Sequence, residues 1–328
     1  MGSGICFPAA DNGHDIRLVG TPYDREVIDR IKADHFHPRL GMSLPRQVSA
    51  WQFDELAQAC DGMEMIISGV PSFGVEWFAE QVLSTVPRNV KVLSLTKGLQ
   101  EDMHGNLLPI SSYYANCMPT ERKLSINSIG GPCISLELCK RNHTTVALCG
   151  DDIRDLQWIK GILQTPYYHI TPTLDVPGIE CAVALKNAYA VGVSLAIGFA
   201  ETQGEQLFNP QASLFGQAVR EMLRFTKIMG GHTDAVIYAT SDLYVTIAGG
   251  RNRKLGELLG QGLTFQEAMK RLSGMTLESV SIITRAARTV RRWSEQGKAN
   301  ADAYPLLLHL DAIINQDRNV QIPWERFG

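Results

Sequence analysis

Near the start of the chain, residues 15–20 (Asp15-Ile16-Arg17-Leu18-Val19-Gly20) alternate polar and apolar positions and stop at Thr21-Pro22, the pattern of a half-buried strand closed by a turn. Asp24 then stands where a helix cap is expected, ahead of Val27, Ile28 and Ile31 at helical spacing. An apolar run over residues 63–70, closed by Pro71, predicts a buried strand. A helical stretch over 75–86 comes next, then another strand over 90–95, ending at Thr96-Lys97-Gly98. Further strands are expected at 124–129, 145–148 and 167–170. Strands alternating with helices predict an α/β domain, a doubly wound parallel sheet covered on both faces. From Pro177 onward the β-rich runs fade. Helical patterns take over at 181–199, 212–230, 264–272 and 277–293. The expected organisation is therefore an α/β domain over residues 1–175 and an all-α domain over 176–328, with no internal repeat.

Composition narrows the class. In 328 residues, 45% apolar, there is enough to bury a substantial core, and disorder is excluded. A net charge of -3 and a pI near 6.3 exclude a strongly basic nucleic-acid scaffold. Seven cysteines, none in C-x-x-C spacing, give neither a disulfide framework nor a zinc site; Cys139, Cys149 and Cys181 lie in apolar runs and are expected to be buried thiols. The longest apolar stretch, 188–200, is shorter than the roughly 20 residues a membrane span needs. With no charged region ahead of an apolar one at the start, a soluble, cytoplasmic protein is expected.

Several segments carry candidate chemistry. Gly2-Ser3-Gly4 reads like the end of a glycine turn that cradles a dinucleotide pyrophosphate, with the first strand and leading glycines of such a fold not seen. After the 15–20 strand, Gly20-Thr21 offers neither the acidic residue that favours a free 2′-hydroxyl nor the arginine that favours a 2′-phosphate, and Asp24 and Arg25 come late, so NAD and NADP both stay open. Lys97 stands at the carboxyl end of a strand, and Gly130-Gly131-Pro132-Cys133 opens a helix carrying Ser135. Lys186, with Asn187, interrupts an apolar helix. Such a lysine either snorkels to the helix edge or loses proton affinity through burial and so becomes able to act as acid and base. Asp242 and Thr246 precede Gly249-Gly250-Arg251-Asn252, where a guanidinium fork, an amide and open backbone N–H groups suit a phosphate.

Together these segments resemble the nicotinamide-dependent glycerol-3-phosphate dehydrogenase family over essentially the whole chain. The matches include Ala10-Asp11-Asn12-Gly13-His14, His37-Pro38-Arg39-Leu40-Gly41, Thr96-Lys97-Gly98-Leu99, Leu185-Lys186-Asn187, Glu221-Met222 and Gly250-Arg251-Asn252. The resemblance implies a Rossmann-like N-terminal domain, a helical substrate domain and NAD or NADP as cofactor. It also implies a small phosphorylated substrate, no nucleic acid, no membrane span and a homodimer. It implies Lys186 as the proton acceptor for the C2 hydroxyl of sn-glycerol 3-phosphate, with Lys97 and Asp242 beside it in the catalytic set. Lys97, Gly131, Cys133, Asn187, Thr246, Gly250, Arg251 and Asn252 would line the substrate, and Gly2, Ser72, Lys97, Ser135, Arg251 and Glu278 the cofactor. Cys133 stands where bacterial members usually have serine, Ser241 and Ser279 where glycine is usual, and Gln217 where arginine is frequent. The substitutions at Cys133 and Ser241 keep in view a dehydrogenase of the same fold acting on another phosphorylated polyol or hydroxy acid, and the first strand not seen keeps in view a catalytically impaired relative.

Overall fold

The computed structural model describes residues 1–87, 89–119, 124–273, 275 and 277–328. In chain order it begins with α1 (Gly2–Asp11), β1 (Ile16–Val19), α2 (Arg25–Asp34), the short strands β2 (Phe36–His37) and β3 (Met42–Ser43), β4 (Val48–Trp51) and α3 (Leu56–Ala59). Then come β5 (Met65–Ser68), α4 (Val75–Phe78), β6 (Lys91–Ser94), the strands β7 (Leu99–Glu101) and β8 (Leu107–Pro109), and α5 (Ile110–Cys117). The α/β part closes with β9 (Ser125–Gly130), α6 (Ser135–Cys139), β10 (Thr144–Cys149), α7 (Ile153–Leu163) and β11 (Tyr168–Thr173). The remainder is helical: α8 (Val176–Gln203), α9 (Phe208–Ile228), α10 (Val236–Ala248), α11 (Arg251–Gly260), α12 (Phe265–Arg271), α13 (Glu278–Glu295) and α14 (Pro305–Gln316). Two compact units result. One comprises Met1–Thr96 and Ile110–Val176; the other joins Pro177–Gly328 to the excursion Lys97–Pro109, which sequence order alone assigns to the first half.

The first unit is Rossmann-type, with two departures from a single parallel sheet. Five strands run in the order β11-β10-β9-β6-β5, while β1 pairs in parallel with β4 as a separate ribbon. Within the five, β9 and β10 are antiparallel and the other pairs parallel. The link from β9 to β10, residues 131–143, holds one helix of five residues, and the chain enters β10 antiparallel to β9. Central strands are apolar on both faces, as burial demands: Val92, Leu93, Ala147, Leu148 and Cys149 are inaccessible to solvent. Cys139, Cys149 and Cys181 are buried and not in disulfides, as the sequence predicts. Asp24 precedes α2 but does not cap it through its side chain. Its carboxylate instead accepts from the Thr21 amide at 3.1 Å and from Arg39 at 2.9 Å.

The second unit is built around α8. At 28 residues it is much longer than the apolar stretch at 188–200, and by length and composition it is able to cross a membrane. In the fold 89% of its most apolar 18-residue window is buried, so it is the core helix of this unit. Ala184, Leu185, Ala188, Tyr189, Val191 and Leu195 are sealed among residues of α9, α11, α13 and α14. No strand occurs in residues 177–328 among those described.

Candidate active site

Lys186 and Asn187 sit in the middle of α8, where the side chains on either side of them are mostly apolar. Asp242 and Thr246, four residues apart, share one face of α10 and supply what the lysine lacks. Lys186 Nζ lies 3.2 Å from Asp242 Oδ1 and donates to Thr246 Oγ1 at 2.8 Å, while Thr246 Oγ1 donates to the Asp242 carbonyl at 2.7 Å. Lys97 Nζ takes the other carboxylate oxygen of Asp242, at 2.5 Å. One buried carboxylate thus bridges two ammonium groups, both largely withdrawn from water, with side-chain exposures of 17% for Lys97 and 9% for Lys186. Burial lowers the proton affinity of Lys186 most; Lys97 lowers it further, and Asp242 and Glu278 oppose both.

The phosphate-like end is built by a helix N-terminus. Gly250, at φ 104°, turns the chain into α11, whose first residues are Arg251 and Asn252. Asn252 donates to Asn187 Oδ1 at 3.0 Å, and Asn187 reaches Glu278, the first residue of α13, at 3.5 Å. Lys186, Asn187, Thr246, Gly249, Gly250, Arg251, Asn252 and Glu278 line one cleft of about 190 Å3. Three cations of the cluster (Lys97, Lys186, Arg251) outnumber its two carboxylates (Asp242, Glu278), a balance suited to an anionic substrate. All nine of the candidates in the second unit therefore gather in one place.

Gly2, Ser72, Gly131, Cys133 and Ser135 belong to the first unit. There α1 starts on bare backbone. A Cβ on Gly69 would fall 2.7 Å from the Gly2 Cα, and one on Gly4 would fall 2.5 Å from Ser135 Oγ. That glycine cradle at the N-terminus of a ten-residue helix fits the pyrophosphate of a dinucleotide. Ser72 starts the turn after β5, and Gly131 takes φ 132°, where a Cβ would meet the Thr145 carbonyl at 3.2 Å.

One supporting group escapes the sequence reading of the site. Tyr189, one turn beyond Lys186, donates to Glu221 at 3.0 Å. The same carboxylate accepts from Gln217 at 2.8 Å and from the Leu306 and Leu307 amides at 2.8 and 2.9 Å. Glu221 so ties α8, α9 and the start of α14 together. Burial outweighs those four donors and pushes its carboxyl up to about 7. The sequence signals for this grip are the Glu221-Met222 family match and a glutamate on the apolar face of α9, neither of which names its partners.

A Rossmann-type unit followed by a helical unit that carries a lysine–carboxylate–lysine cluster has the architecture of the two-domain dehydrogenases. The crystal structure of glycerol-3-phosphate dehydrogenase from Coxiella burnetii shares this fold with a TM-score of 0.81 at 20% identity, covering 96% of this chain and 92% of that one. Residues 1–154 match the NAD-dependent glycerol-3-phosphate dehydrogenase N-terminus and residues 175–325 the C-terminus of the same family. An NADP(+)-dependent glycerol-3-phosphate dehydrogenase from Archaeoglobus fulgidus is 30% identical over 92% of this chain and 89% of its own length. A glycerol-3-phosphate dehydrogenase [NAD(P)+] from Bacillus pumilus is 27% identical over 94% and 86%. The chain belongs to the NAD-dependent glycerol-3-phosphate dehydrogenase family.

Proposed function

We propose that this chain interconverts sn-glycerol 3-phosphate and dihydroxyacetone phosphate with NAD or NADP, Lys186 serving as the general acid and base. The observation that carries the proposal is a buried lysine of lowered proton affinity in the same cleft as Arg251 and Asn252. The dinucleotide, when bound, supplies the hydride chemistry; the glycines around Gly2 and Gly69 and the positions of Ser72 and Ser135 fit its place in the first unit.

In the oxidation direction neutral Lys186 takes the proton of the C2 hydroxyl, and in reduction its ammonium returns that proton to the C2 oxygen. Asp242 and Thr246 fix the amine through two separate contacts from α10. Lys97 adds positive charge next to the oxygen that becomes anionic and disfavours a second ammonium at Lys186. Arg251, Asn252 and the N–H groups that open α11 grip the phosphate, so that binding far from C2 aligns C2 with the amine. Gly131 and Cys133 are assigned to the substrate and Glu278 to the cofactor by the family resemblance. A homodimer and a cytoplasmic location are part of the same reading, the first open to sedimentation analysis.

The test is the oxidation of NADH and of NADPH driven by dihydroxyacetone phosphate, compared between the wild type and Lys186→Ala. Loss of turnover with an unchanged melting temperature and circular dichroism spectrum is expected; unimpaired turnover in Lys186→Ala refutes the assignment.

A further inference from the structure

Lys97 stands in the short connection between β6 and β7, outside any helix or strand that would fix it, yet its Nζ has to meet Asp242. The chain continues from there into the β7–β8 hairpin, paired only through Leu99–Pro109, Gln100–Leu108 and Glu101–Leu107. A two-stranded hairpin of that size is marginal by itself. Leu99 and Leu107 anchor it in the helical core, and guanidinium groups of α13 grip its backbone. Arg285 donates to the Leu99 carbonyl at 2.7 Å and to Gln100 Oε1 at 3.0 Å. Seven residues along the same helix face, Arg292 donates to the Gly105 carbonyl at 2.6 Å and the His104 carbonyl at 3.2 Å. Arg288, between them, pairs with Glu101 at 3.2 Å but is 60% exposed, where an ion pair contributes little.

We propose that Arg285 and Arg292 are positioning residues for Lys97: by clamping the backbone of the 97–109 hairpin they hold the Lys97 ammonium on Asp242 and so set the protonation of Lys186. The inference rests on the reading of Lys186 as the acid and base. Arg292 holds two backbone carbonyls, and Arg285 holds one together with the Gln100 and Glu101 side chains, so the clamp acts chiefly on where the chain runs. The groups facing Lys186 are Asp242 and Thr246 from α10, Lys97 from the hairpin and Glu278 from the start of α13. Releasing the hairpin moves one positive charge away from Lys186 and leaves it an undivided carboxylate. Both changes favour the ammonium. Helix α13 thereby reaches the cleft with Glu278 at one end and steadies Lys97 with the arginines further along.

The experiment compares wild type, Arg285→Ala, Arg292→Ala, the conservative Arg285→Lys and the rim control Arg288→Ala. Three readouts are taken: the pH profile of glycerol 3-phosphate oxidation, the melting temperature, and the pH titration of Lys186 by NMR of the 13C-dimethylated protein, its resonance assigned with Lys186→Arg. The alanine variants are expected to lose roughly tenfold in kcat and to move the rising, acidic limb and the NMR midpoint upward by about one pH unit, tenfold in proton affinity. Arg285→Lys recovers part of both, and Arg288→Ala matches the wild type. A lowered melting temperature with an unchanged Lys186 titration in both alanine variants would show a clamp that is structural only and would overturn the proposal. Absence of turnover in the wild type counts against the dehydrogenase reading, while the NMR titration still decides the clamp. Arg292→Ala and Arg285→Lys keep the question answerable if Arg285→Ala does not fold.

Discussion

Gly256 of α11 lies so close to Val191 of α8 that a Cβ on it would sit 2.4 Å from the Val191 carbonyl oxygen. One turn along, a Cβ on Gly260 would sit 2.2 Å from the Leu195 carbonyl, and one turn back Asn252 donates to Asn187. From the Asn187–Asn252 contact at the cleft the two helices advance in parallel by four-residue steps, backbone against backbone. The spacing of the glycines therefore sets the distance from Lys186 to the phosphate grip. Gly256→Ala would gain about 1 kcal/mol in helix propensity, but the added methyl meets a helix carbonyl that cannot turn aside. The overpacking cost of about 1–3 kcal/mol should prevail. The expected result is a lower melting temperature together with a raised KM for dihydroxyacetone phosphate, read by thermal denaturation and steady-state kinetics. A variant as stable as wild type would show that the helices separate freely.

Arg251 opens α11 at the edge of the cleft, and its proposed partner is a phosphate. Replacing it with alanine removes charge-assisted hydrogen bonds of about 1.5–3 kcal/mol, so KM for dihydroxyacetone phosphate should rise by roughly ten- to a hundredfold. Turnover of unphosphorylated dihydroxyacetone, assayed at high concentration, should be the same in the variant and the wild type. An equal loss on both substrates would place Arg251 at the reacting carbons instead.

Lys186 and Asn187 are legible in the sequence because an ammonium in an apolar helix needs a reason, and Gly250-Arg251-Asn252 because glycines ahead of a guanidinium read as an anion turn. The helix that orients the amine is not legible. Val236, Ile237, Thr240, Val245, Thr246 and Ile247 fill α10 with β-branched residues of poor helix propensity, and burial of Val236, Ala239 and Leu243 overrides them. The antiparallel step between β9 and β10 is not legible either, because hydrophobic pattern marks strands but not their direction. Arg285, Arg292 and Glu221 act across long sequence separations on backbone atoms, which carry no sequence label. At its start, α8 extends ahead of the 181–199 pattern because neighbours bury Val176, Gly178, Ile179 and Glu180, whereas Glu201, Thr202 and Gln203 at its other end are exposed.

The pH dependence of the reaction should report the amine of residue 186. Burial and Lys97 hold its proton affinity below that of a free lysine, whose pKa is about 10.4. Oxidation of glycerol 3-phosphate needs the neutral amine, so kcat/KM should rise with pH and level off through a midpoint below that value. The reverse reaction needs the ammonium and should fall through the corresponding midpoint of its own complex. Asp242→Asn removes the carboxylate that favours the ammonium and should move the oxidation midpoint lower still, at reduced kcat. A midpoint that Asp242→Asn leaves in place would assign the titration to another group.

Glu221 makes stability itself depend on pH. Its carboxyl titrates near 7 in the fold against an ordinary value of 4.5, so the folded protein holds a proton that the unfolded chain has already released. The stabilising contribution is complete below about pH 4.5 and is lost as pH rises through 7, in all about 3 kcal/mol. Above pH 7 the buried carboxylate accepts four hydrogen bonds but has no cation among its hydrogen-bond donors, Gln217 being neutral. In Glu221→Gln no proton is exchanged at this position. The variant should be less stable than wild type at pH 5, because its amide meets the Leu306 or Leu307 amide donor. The difference should then shrink as pH rises to 8. Melting temperatures of the two proteins across that range decide it: a gap that widens with pH would mean that the four donors, and not burial, govern this carboxyl.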